Sequence, residues 1–100
     1  MDMMKLMEQA QQMQAQMQAA QESLAGRTVT GTAGGGMVTV EADGQGSVRR
    51  VTIDPKVVDP SDVAMLEDLV TVAVTDAQRR AAELQQSEMG KVTGGMQLPF

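Results

Sequence analysis

The sequence predicts an α+β fold with the order αβββα: a long N-terminal helix, a three-stranded antiparallel meander and a long C-terminal helix. Three observations carry this. Residues 2–25 contain neither Gly nor Pro, residues 27–54 alternate with period two between glycine-rich turns, and residues 60–89 return to helical spacing.

The first helix is built from Ala, Met, Gln, Glu and Leu, all strong helix formers. Met3, Ala10, Met17 and Leu24 fall seven apart, and Leu6, Met13 and Ala20 fill the second heptad position. The opposite face is mostly Gln, so an apolar stripe needs a partner. Gly26 supplies a natural end. In "RTVTGT" (27–32) β-branched residues dominate, and in "MVTVEAD" (37–43) Val38, Val40 and Ala42 alternate with Met37, Thr39 and Glu41. That is the pattern of a half-buried strand. In "SVRRVTID" (47–54) alternation places Arg49, Val51 and Ile53 on one face and Val48, Arg50 and Thr52 on the other. Asp43-Gly44 marks a hairpin turn between these two strands. Gly34–Gly36 link the first strand to the second.

Asp54-Pro55 ends the third strand, because the residue before proline is pushed to extended geometry. "DPSD" (59–62) then predicts a helix start, with Asp59 as cap, Pro60 in the first helical position and Asp62 in the first turn. The apolar stripe of this helix is Val63, Leu66, Val70, Ala73, Ala77 and Leu84, and Gly90 is its expected terminator. Residues 1–89 thus form one domain and residues 90–100, "GKVTGGMQLPF", a flexible tail.

Composition excludes much. With no Cys there is no disulfide or thiolate chemistry, and with no His the usual zinc sites and the commonest general base are missing. No run approaches the length of a membrane span, and Gln interrupts any signal-like core near the N-terminus, so the expected location is cytoplasmic. "GTAGGG" is followed by Met37 and a strand, not by the lysine and helix of a phosphate-binding loop. Its glycines are expected to serve turns. The carboxylates Asp54, Asp59, Asp62, Glu67 and Asp68 gather around the second helix start, where capping accounts for Asp59 and Asp62. No enzyme, cofactor, metal or small-molecule substrate is expected. The core lacks rings, with Phe100 the only aromatic residue among 100. Such a thin core favours association with a second copy.

The net charge of −5 argues against a surface attractive to nucleic acid everywhere. Arginines leave a local patch open. Two readings stand: solvated or salt-bridged side chains covering apolar surface with their stems, or phosphate contacts, which are salt-dependent and largely sequence-independent. Without internal aromatic rings, stacking on single-stranded bases is not expected.

Taken together, "MMKLMEQAQQMQAQMQAAQESLAG", "GGGMV", "G-x-G-x-V-x-x-V-x-IDP", "MLEDL" and "MGK-x-TGG" resemble the YbaB/EbfC family of bacterial nucleoid-associated proteins, over nearly the whole chain and in order. The resemblance implies an intertwined homodimer with helices projecting like tweezer arms, and leaves further assembly open. It also implies binding to double-stranded DNA in the nucleoid through the sugar–phosphate backbone with little sequence preference, organising the chromosome and influencing gene expression. The positions that match its basic sites are Lys5 on the first helix, Arg49 and Arg50 on the third strand, Arg79 and Arg80 on the second helix, and Lys91 in the tail. The first helix departs from the family in carrying Gln where many members carry Lys. The alternative is a Met/Gln-faced dimeric scaffold that docks on proteins, with DNA binding weak or indirect.

Overall fold

The computed structural model describes residues 2–94, with side-chain environments from Asp2 through Lys91. Helix α1 spans Met3–Ala25, strands β1, β2 and β3 span Thr28–Ala33, Val38–Asp43 and Val48–Ile53, and helix α2 spans Val63–Gly94. The sheet is antiparallel in the order β1-β2-β3. The predicted meander is therefore present. A one-turn 3-10 helix, Pro55–Val57, which the sequence pattern did not indicate, follows β3.

Helix α1 starts where the Asp2 carboxylate accepts from the Met4 N–H at 3.0 Å. Helix α2 starts later than predicted. Asp59 closes a turn of its own, accepting from the Ser61 N–H and hydroxyl, and it is Asp62 that accepts from the Met65 N–H at 3.2 Å. Either carboxylate could have capped the helix, and Ser61 takes up the first. At its other end α2 passes Gly90 and continues to Gly94. Glycine inside a helix costs about 1 kcal/mol but stops it only when the chain turns left-handed there, and Gly90 keeps a negative φ. Residues 95–100 of the expected tail lie outside the described residues.

The core is one layer of helix on sheet. Ala33, Val38, Val40 and Ala42 of the sheet pack on Ala73 and Ala77 of α2, with Val29, Ile53, Leu66, Leu69, Val70 and Val74 at the margin. Small residues let the helix lie close. A Cβ at Gly31 would overlap the backbone of Ala73 and Ala77, so β1 has no side chain where α2 crosses it. The predicted turns at Gly34–Gly36 are confirmed by φ values of 62°, 67° and 94°, a region costly for any residue with a Cβ.

Helix α1 touches this core only at its base. Ala20 and Leu24 are buried, while Met3, Leu6 and Met17 of the same stripe are open to solvent. The molecule is elongated, with a radius of gyration of 19.5 Å against about 13 Å for a compact chain of this length.

Gly31→Ala should destabilise the fold by about 3 kcal/mol, because the added methyl meets helix backbone that cannot rotate away. Urea denaturation followed by circular dichroism measures this, and an unchanged midpoint would contradict the close crossing.

Candidate nucleic-acid interface

Six of the eight basic side chains occupy three regions, and Lys56 lies on the one-turn helix after β3. On α2, Arg79 and Arg80 project beside the edge strand β1. Asp76 places them there: its carboxylate accepts from the Thr32 N–H at 3.1 Å, from Arg79 at 2.8 Å and from Arg80 at 3.3 Å. Arg79 also reaches Glu83 at 2.6 Å. One carboxylate thus caps an otherwise unpaired edge N–H and orients two guanidinium groups. Those hydrogen bonds, first the one from Arg79, hold the Asp76 carboxyl below the usual carboxylate range, and the same pair pushes Arg79 up.

At the opposite edge of the sheet lie Arg49 and Arg50. The alternation predicted for β3 breaks here. Glu41 pairs with Arg50 but Ala42 pairs with Val48, so Arg49 is an extra residue in a β-bulge. The bulge puts Val48, rather than Arg49, opposite the buried Ala42, which corrects the face assignment made from spacing. Arg49 turns instead to Asp43, donating from Nη2 at 2.8 Å and from Nε at 3.3 Å. Asp43 is nearly buried and also accepts from the Gln45 and Ser47 N–H groups, so it organises the whole turn. Arg50, opposite Glu41, lies on the sheet face turned away from α2.

The third region is where the two helices meet. Glu88 lies 3.4 Å from both Arg27 and Lys91, tying the start of β1 to the last turns of α2. Lys5 stands apart, near the exposed start of α1. The six residues predicted from sequence are therefore not gathered in one place on the chain: Arg79 and Arg80 are brought together, Arg49 and Arg50 are neighbours separated by the bulge, and Lys5 and Lys91 lie on the helices that form the extended arm.

Sequence reasoning missed the face that accompanies Arg50. Thr28, Thr30, Thr32, Thr39 and Thr52 share it, and all but the half-covered Thr39 are exposed. The signal was available in "TVTGT", where Thr alternates with residues that face the helix. Hydroxyls on a solvated strand can donate to phosphate oxygens. Among the described residues no group of three or more acidic, His or Cys side chains could hold a metal ion, and no helix is long and apolar enough to cross a membrane.

Comparison with known proteins places this geometry. The model of the YbaB/EbfC DNA-binding family matches residues 1–96. A nucleoid-associated protein of Gemmatimonas aurantiaca is 48% identical over 100 residues, all of this chain and 96% of the relative. One from Saccharopolyspora erythraea is 54% identical over 95 residues, covering 95% of this chain and 82% of the relative. The crystal structure of an uncharacterized protein from Helicobacter pylori superposes with a TM-score of 0.80 over 91% of this chain and 96% of that one, at 22% identity. At that identity the likeness concerns the fold alone.

The depressed Asp43 carboxyl makes a pH prediction. Arg49 first, then the Ser47 N–H, hold it below its ordinary value, which is about 3.9 in an unstructured chain. A carboxyl lowered by folding stabilises the native state above about pH 4, and that contribution is lost as pH falls through the folded value. Asp43→Asn should therefore be less stable than wild type near neutrality, with the gap in urea midpoint closing below about pH 4. A gap that stays constant with acidification would contradict the ionised role of Asp43.

Proposed function

This chain belongs to the YbaB/EbfC DNA-binding family, and we propose from that premise that it lies along double-stranded DNA in the nucleoid, gripping the sugar–phosphate backbone with little preference for sequence. The observation that supports the reading is the Arg79–Arg80 pair on the outward side of α2. Their side chains are more than half exposed, and Asp76 occupies guanidinium donors that a phosphate would otherwise take. Exposed ion pairs contribute only about 0–1 kcal/mol, so a phosphate oxygen can replace a carboxylate at little cost. Each guanidinium can then meet phosphate bidentately. Arg49 and Arg50, with the threonine face beside Arg50, offer a second strip. Lys5 and Lys91 extend the contact along the arm, and residues 1–89 act as one unit.

A second copy completes the surface. Helix α2 covers β1 and β2, and on β3 it leaves Val48 and Val51 about 40% exposed on the side that should be core. Val63, Met65 and Val72 of α2 are open as well. A homodimer in which the partner covers this apolar strip would bury it and would double the number of arginine sites. The protein that results has no catalytic role. Its relatives carry the name nucleoid-associated protein, and none of them supports a scaffold that merely docks on other proteins.

Fluorescence anisotropy with unrelated duplexes across a salt series tests the reading. Affinity should fall steeply with salt. Arg79→Ala/Arg80→Ala should weaken binding on every sequence alike and reduce the salt slope by about 0.9 for each phosphate no longer neutralised. Asp76→Asn, which releases both guanidinium groups and removes a negative charge, should tighten binding severalfold. Affinity that ignores salt, or variants that both bind as wild type does, would overturn it.

A further inference from the structure

We infer that the exposed heptad seam of α1 is a second self-association surface, through which the α1 arms of two dimers pair as a short coiled coil and join dimers into chains. This rests on the dimer described above and adds a separate contact to it.

The seam begins buried and ends uncovered. At its base Leu24 and Ala20 pack inside the protomer, while further out Met17 is 46% exposed, Leu6 48% and Met3 75%. Along this face runs an open groove of about 920 Å³, lined by Leu6, Ala10, Met13 and Ala20 and flanked on the far side by Glu88 and Lys91. The apolar positions repeat at alternating steps of three and four from Met3 to Leu24. A repeat of 3.5 residues matches a helix as partner, because only a second helix keeps such a seam in register over several turns.

Charge identifies which helix. The flanking heptad positions, which set partner choice in coiled coils, are Met7, Gln9, Gln14, Gln16, Gln21 and Ser23. None is charged, and residues 9–21 hold no ionisable side chain at all. In a chain of net charge −5, this is the longest helical stretch along which two identical copies can approach without charge repulsion. The Gln amides can hydrogen-bond across such a contact, since each both donates and accepts.

Pairing of like seams is isologous, and each dimer carries two of them. Unless two dimers close on each other, the contact propagates into an open chain. DNA-bound dimers joined this way would be bridged through the protein and not through the duplex. The contact is apolar, so salt that strips DNA would leave it intact.

Sedimentation velocity of the full chain without DNA, over a concentration series at high salt, tests the inference. Wild type should rise from the dimer mass to twice that mass and beyond. Leu6→Glu/Met13→Glu, at positions outside the packed core, should stay at the dimer mass with the circular dichroism of wild type. A wild type fixed at the dimer mass at every concentration would overturn this inference and leave the dimer standing, whereas a fixed monomer mass would overturn both. Association that survives the glutamate substitutions but is abolished in Leu98→Ser/Phe100→Ser would overturn it in favour of the C-terminal segment as occupant of the groove.

Discussion

The approach of α2 to β1 at Gly31 determines the rest of the molecule. Because no side chain stands between them, helix backbone rests on strand backbone, and the alanines at 73 and 77 suffice to seal the contact. That closeness brings Asp76 within reach of the Thr32 N–H, and Asp76 in turn directs Arg79 and Arg80. It also brings α2 beside the β2–β3 turn, where Gln85 donates to the Gly44 carbonyl at 2.9 Å. A bulkier crossing would lift the helix off the sheet and dissolve each of these links.

The consequence of so close a layer is that it is narrow. Small residues bury little area apiece, and hydrophobic stabilisation scales with the apolar area removed from water. One helix cannot cover three strands, so β3 keeps its valines half in water. A chain of this shape has apolar surface left over at two places, beside α2 and along α1, and these are where contacts with further copies are proposed. Its charges are arranged differently: Arg49, Arg79 and Arg80 lie at the rim, each paired with an acid on its own turn or helix.

Much of this was legible in the sequence. Periodicity located both helices and the meander, and the glycines at 34–36 announced their turn. What escaped depends on partners far away in the chain. The bulge at Arg49 is invisible to alternation, because it arises from the demand that Asp43 be satisfied by Gln45, Ser47 and Arg49 together. The shift of the α2 cap from Asp59 to Asp62 turned on which of two similar carboxylates was taken up by Ser61. Spacing showed that α1 has a seam but not that only Ala20 and Leu24 of it are fully buried. The basic residues were all identifiable by type, yet their pairings, such as Arg27 with Glu88 across the fold, are products of tertiary structure. The family resemblance identified DNA as the partner, which no periodicity could have done.

The most direct measurement is an NMR titration of the arginine side-chain N–H signals with a duplex of arbitrary sequence. The Nε–Hε resonances of Arg79 and Arg80 should move first and furthest, those of Arg49 and Arg50 should follow, and added salt should return all four to their starting positions. Perturbations confined to the glutamine face of α1, with these four resonances unmoved, would contradict an arginine-borne contact with the phosphate backbone.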